Sequence, residues 1–231
     1  MATLAALKGR AIAELQRWEP GYVLGLHAAG LEAQTPEILR ALRLRLPNVL
    51  EQMPDPGLFA PTMRAFSLSG ATYIALYLVL HERGLDAAET WKVCDVATRH
   101  FFHNMRGFER SAAGAGMFSL PMRWLTRWMD ARSRDKPLAD WSVRFREGDG
   151  SFDFGVDYER CAIHALAVRV GAEDFAPYIC LADQIGSEIF GWGLARTETI
   201  AQGGTRCDFR FRKGGTTNVV VRLPVVSPDK P

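Results

Sequence analysis

With 231 residues and 48% hydrophobic side chains, the chain holds enough apolar material for one substantial core or two small ones, which excludes a disordered or fibrous class. Its 28 basic and 26 acidic side chains leave a formal charge of +2, too balanced for wholesale nucleic-acid binding, so the arginines are expected to hold carboxylates or make local ion pairs. Lys8, Arg10, Glu14 and Arg17 interrupt the first apolar stretch where a signal peptide would be continuous, and no uncharged run approaches a bilayer's thickness. The expectation is therefore a cytoplasmic protein without a membrane partner, whose four cysteines at 94, 161, 180 and 207 stay reduced.

From Thr3 to about Arg134 the apolar spacing is helical. Leu4, Leu7, Ile12 and Leu15 mark one amphipathic segment, and Ile38, Leu39, Leu42, Leu46 and Leu50 mark a second that is expected to bend at Pro47. Pro54, Pro56, Gly57 and Pro61 punctuate a loop. The run from Met63 to Arg83 is nearly continuous in apolar residues and stops at Gly84, which predicts the central buried helix. Asp86 with Glu89 reads as a capping box leading into a helix from Ala88 to Met105. Gly114, Ala115 and Gly116 read as a flexible joint before a helix from Met117 to Ala131, whose Met122, Trp124, Leu125 and Trp128 form a bulky stripe.

After Pro137 the period falls to two. Trp141, Val143 and Phe145 alternate with polar residues, Gly148-Asp149-Gly150 turns the chain, and Phe152, Phe154 and Val156 return, which predicts a hairpin. Two helices follow, Cys161 to Val170 and Glu173 to Phe190, separated by Gly171. The stretch from Leu194 to Arg212 then places two strand-like runs around Gly203–Gly204, and the second alternates Phe209 and Phe211 with Arg210 and Arg212, giving one apolar and one cationic face. Residues 216–231 read as an edge strand that frays into a tail. The order of elements implies an α+β fold, with a helical N-terminal part packed on an antiparallel sheet built from two hairpins with helices between them. The expected division is an N-terminal helical extension over 1–60, an α+β domain over 61–215 and a strand or tail over 216–231.

The 194–212 segment also carries a signature. Arg196, Thr197, Thr199, Ile200, Ala201 and Gly203, followed by Cys207, Asp208, Phe209, Arg210 and Phe211, resemble the R-T-x-T-hydrophobic-A-x-G and C-D-F-R-F motifs of the L-2-amino-thiazoline-4-carboxylic acid hydrolase family. Looser likeness extends upstream through Cys180 with Asp183, through Tyr158 and Cys161, and through the helix before Gly84, so that it covers about Met63 to Arg212. The resemblance implies a hydrolase that opens a small carboxylated heterocycle or cyclic amide or amidine at a C–N or C–S bond. Two rivals stay open. One is a non-catalytic small-molecule-binding module like the 4-vinyl-reductase-like ligand-binding domains, which have a similar strand and helix order; the other is a lyase or isomerase using the same pocket.

The residue types needed for such hydrolysis are a nucleophile, a proton donor and an anchor for the substrate carboxylate. Cys161, Cys180 and Cys207 are candidate catalytic thiols, with Cys161 placed at a helix N-terminus that would lower its pKa and Arg196 or Arg206 as cationic neighbours of Cys207. Cys180 and Asp183 lie one helical turn apart and share a face, and Asp183 is the alternative base for an activated water. Arg196 is the candidate carboxylate clamp, while Thr197, Thr199 and Asp208 are candidate substrate-binding residues. Thr197 and Thr199 have the same strand parity; Asp208 has the opposite parity to Cys207 and is free to orient the turn or to pair with Arg210. His164 is a candidate base for Cys161. Neither the cysteine spacing nor the His100/His103 pair forms a metal motif, so no metal or cofactor is expected. The aromatic residues Phe101, Phe102, Phe108, Trp124 and Trp128 are candidates to roof a cavity, and Arg40, Arg43 and Arg45 read as solvated surface or a homo-oligomer contact.

Overall fold

The computed structural model describes residues 4–53, 61–135 and 140–223, so the loop predicted around Pro54, Pro56 and Gly57, and the end of the C-terminal tail, lie outside the described residues. The first helix, α1 (Leu4–Ala28), buries Ala11, Leu15, Trp18, Tyr22 and Leu26, a spacing of three and four that defines a single face. That face rests on α4 (Ala87–His103) closely enough that a Cβ added to Gly21 would lie 2.8 Å from the Ala97 carbonyl oxygen, and one added to Gly25 would lie 2.5 Å from that of Val93. Between them, α2 (Thr35–Glu51) runs through Pro47 without ending, so the expected bend does not break the helix.

The predicted central helix is α3 (Pro61–His81). By length and composition its Met63–His81 stretch, with mean hydropathy 1.3, would suffice to cross a bilayer, but 78% of that window is buried inside the protein. The capping box at α4 is present as expected: the Glu89 N–H donates to Asp86 at 2.7 Å and the Asp86 N–H to Glu89 at 2.9 Å. The expected joint at Gly114–Gly116 is instead the interior of α5 (Gly107–Met117). Gly114 serves packing there, since a Cβ on it would lie 2.9 Å from the Phe190 carbonyl oxygen. Ser119 caps α6 (Leu120–Ser133) by accepting the Met122 N–H at 3.3 Å.

The first hairpin pairs β1 (Ser142–Glu147) with β2 (Phe154–Arg160). Cys161 is then the N-cap residue of α7 (Ala162–Arg169). The single helix expected over 173–190 is divided into a 3-10 turn, α8 (Ala176–Ile179) and α9 (Leu181–Phe190), with the break at Cys180.

The sheet is completed by β3 (Leu194–Arg196), β4 (Cys207–Phe211) and β5 (Asn218–Val219) in the order β1-β2-β4-β3-β5. It is mixed, because β5 runs parallel to β3 while the other pairs are antiparallel. β3 and β4 do not meet through a two-residue Gly-Gly turn. Residues 197–206 connect them through a 3-10 turn, Ile200–Gln202, stopped by Gly203 at φ +83°, a left-handed conformation suited to glycine.

Alternation along the strands sends Val143, Phe154, Val156, Cys207 and Phe211 inward, and leaves Arg144, Arg146, Asp157 and Arg210 on the other face. Asp157, with only 1% of its side chain accessible, accepts from Arg146 at 2.6 Å and from Arg210 at 2.7 Å. Burial works to raise the Asp157 pKa, but the two guanidinium groups outweigh it and hold the carboxyl below its ordinary value. Arg210 thus pairs with Asp157 and not with Asp208. Two apolar cores result: a helical one from α1 to α4 with α7 to α9, and a smaller one between the sheet and α6, with Ile163 packed against both.

Candidate active site

A cavity of about 360 Å³ lies along the seam between the two cores, with walls drawn from Trp18 and Tyr73 of the helical core and Met129, Trp141 and Phe154 of the sheet core. Most of its lining is apolar. The lining carries Glu14, which accepts the Trp18 indole N–H, and a polar end formed by Asp183 and Arg196 with Cys161, Cys180 and Cys207 around them.

Arg196 ends β3 with a residue exposure of 1%, and a guanidinium at that depth requires compensating partners. Nη1 donates to Asp183 Oδ2 at 2.7 Å, and Nη2 donates to the Cys180 carbonyl oxygen at 3.0 Å. Cys180 is also the N-cap residue of α9, so its carbonyl accepts the first bond of that helix and uses its second lone pair for Arg196. The ring of Phe209 supports the guanidinium, 5.1 Å from ring centre to Cζ. Nε has no hydrogen-bond partner among the described residues.

Asp183 stands in the first turn of α9 and faces the cavity with 40% of its side-chain surface accessible. Enclosure within the protein raises its pKa above the ordinary carboxylate value, against the opposing pull of Arg196.

The thiols depart from the expectation of lowered pKa values. Burial pushes Cys161 up to about 11 and Cys180 up to about 12, and it raises Cys207 further. The helix N-terminus acts on Cys161 as the sequence implies, since the His164 and Ile163 N–H groups lower its pKa, but desolvation is the larger effect. Cys180 Sγ donates to the Ala176 carbonyl oxygen at 3.6 Å, and Cys207 Sγ accepts the Ile200 N–H at 3.3 Å. All three are free thiols; Cys94 is also free, and is buried in the helical core.

The other three candidates are not in the cavity lining. Asp208 accepts from the Thr197 and Glu198 N–H groups at 2.8 Å each and from the Thr197 hydroxyl at 2.6 Å, so its carboxylate is engaged in shaping the β3–β4 connection. Thr197 is consequently turned outward and exposed. The parity argument for Thr197 and Thr199 fails because β3 ends at Arg196. Thr199 is buried near Cys180, where its hydroxyl helps to lower that thiol's pKa, yet it makes no hydrogen bond within ordinary limits.

His164 lines the cavity, as do Phe101 and Phe102, whereas Phe108 and Trp124 are exposed at 67% and 65%. His100 interacts with Asn104, one turn away. Among the described residues no group of three or more His, Cys, Asp or Glu is arranged to hold a metal ion.

Tyr158 is the lining residue that sequence reasoning treated only as a strand marker. Its ring packs on Trp141 and Phe209, burial raises its pKa so that the phenol stays protonated, and the charge of Asp183 acts in the same direction. The inward parity of Phe154 and Val156 was the available signal for it.

Residues 66–211 match the family model described as L-2-amino-thiazoline-4-carboxylic acid hydrolase. No curated protein and no solved structure matches the chain. The match spans well over half of the sequence and contains the five residues gathered at the polar end of the cavity. The chain therefore belongs to the L-2-amino-thiazoline-4-carboxylic acid hydrolase family.

Proposed function

We propose that the cavity binds a small heterocycle carrying a carboxylate and an amidine-like carbon, and opens its ring by hydrolysis of a C–N or C–S bond. The observation that carries this reading is the Asp183–Arg196 pair, with Arg196 buried and Asp183 facing a cavity large enough for a small molecule. The two charges are complementary to a zwitterion: Arg196 supplies the positive charge for a substrate carboxylate, and Asp183 supplies the negative charge for the basic amidine.

Asp183 is then the proton carrier. A raised pKa makes the Asp183 carboxylate a better proton acceptor than an ordinary one. Adding water across the ring C=N bond places a hydroxyl on carbon and a hydrogen on nitrogen, with Asp183 relaying that proton. Collapse to a carbonyl then moves the hydroxyl proton through Asp183 to the ring heteroatom as its bond to carbon breaks. Tyr158, held protonated, supplies a hydrogen bond to the oxygen developing charge. The product is the opened chain, and one water is consumed.

One observation favours a second route. The backbone N–H groups that lower the Cys161 pKa would steady a thiolate there, and a Cys161 thiolate would attack the same carbon directly. Turnover of L-2-amino-thiazoline-4-carboxylic acid by the wild type, Asp183→Asn and Cys161→Ser separates these possibilities. The water route predicts that Asp183→Asn loses about 10²-fold or more in kcat, while Cys161→Ser stays within roughly tenfold of wild type. Abolition by Cys161→Ser with an unchanged melting temperature would instead support the thiol route. Tight wild-type binding without turnover would support a binding module.

A further inference from the structure

We infer, building on the reading of Asp183 and Arg196 given above, that the substrate is a carboxylated heterocycle bearing a bulky apolar substituent, with the ring at the polar end and the substituent in a separate apolar chamber. The charge distribution is the first ground. Asp183 and Arg196 pair with each other among the lining residues, whereas Trp18, Met63, Phe101, Met122, Leu125 and Phe154 give the cavity a broad apolar wall, and Glu14, also in the lining, accepts the Trp18 indole N–H at 3.1 Å.

Size is the second ground. A volume of about 360 Å³ falls in the range of roughly 300–1,000 Å³ that holds drug-sized ligands. It equals the liquid volume of roughly twelve waters at ~30 Å³ each, so a single ring with one carboxylate fills only part of it. Apolar walls bind the remaining water poorly, and protein interiors otherwise close such spaces. An apolar substituent would fill the chamber and remove both its own surface and the walls from water.

The chamber is built by elements that the ring site does not need. Trp18 is on α1 and Met63 begins α3, both outside the matched residues 66–211. Met122 and Leu125 come from α6, whose Leu125 packs against the sheet core, whereas α9, which carries Asp183, belongs to the helical core.

The experiment compares L-2-amino-thiazoline-4-carboxylic acid with its derivative benzylated on the exocyclic nitrogen, by calorimetric Kd and by kcat/KM. The benzyl compound is expected to bind about tenfold or more tightly, the scale of burying one aromatic side chain. Leu125→Trp, which fills the chamber, is expected to bring the ratio of the two Kd values toward one; Met122→Trp does the same from the next turn if the first variant melts early. Equal wild-type Kd values would overturn the chamber, and hydrolysis of the parent compound would then leave the ring site standing. Preferential binding of the benzyl compound without hydrolysis of either would uphold the chamber and overturn only the hydrolytic reading. Absence of binding by both at millimolar concentration would overturn both.

Discussion

At the scale of single residues, Arg196 connects the strand signature to the chemistry. Its sequence neighbours suggest a clamp; its depth makes Asp183 and the Cys180 carbonyl oxygen necessary partners, so the three form one polar unit in an apolar seam. The one-turn spacing of Cys180 and Asp183 was legible because a helix aligns such residues. The opposite faces of Cys207 and Asp208 were legible from strand parity. The roles of Thr197, Thr199 and Asp208 were not, because parity holds only within a strand and the chain leaves β3 at Arg196. Thiol ionisation was misjudged for a different reason: a helix N-terminus can be read from sequence, but the desolvation that outweighs it cannot. The expected result is slow iodoacetamide labelling of Cys161, Cys180 and Cys207 near neutral pH, with Cys161 reacting first as pH rises toward its value of about 11. Site-resolved mass spectrometry checks this, and rapid labelling of any of the three at pH 6–7 would show that its thiolate is stabilised more than its surroundings allow.

At the scale of elements, hydrophobic spacing identified most helices and both sheet-forming regions. It located the α1 face only in part, because the residues that decide the α1–α4 approach are small: Gly21 and Gly25, one turn apart, have no hydrophobic signal and bring two backbones together. The same physics makes Gly114–Gly116 read as a joint when it is the last turn of α5, with Gly114 set close to the Phe190 backbone. Pro47, where a bend is expected, lies inside α2, which continues past it. A paired substitution tests the close approach. Gly25→Ala forces a Cβ into the Val93 backbone and is expected to destabilise by roughly 1–3 kcal/mol, as overpacking does, whereas Gly9→Ala on the same helix meets open space and is expected to stabilise by about 0.5–1 kcal/mol. Denaturant midpoints for the two variants measure the difference; equal shifts would mean that α1 moves away from α4 at little cost.

At the scale of the whole molecule, the α+β class followed from element order, while the cavity did not. Periodicity shows which face of each element is apolar, but a seam between two cores depends on how far those faces stand apart, and residues from 14 to 211 meet along it. The parallel β3–β5 pairing was equally hidden, since two residues of β5 carry too little pattern to fix a direction. The most direct test of Asp183 as the proton carrier is the pH dependence of kcat/KM on L-2-amino-thiazoline-4-carboxylic acid. A base must be ionised to act, so activity should fall as pH drops through the free-enzyme pKa of Asp183, and burial places that midpoint above the ordinary carboxylate value of about 4. The expected profile has an acid limb whose midpoint lies above that value. A rate that is negligible at neutral pH and climbs only in the alkaline range of the Cys161 thiol would contradict it.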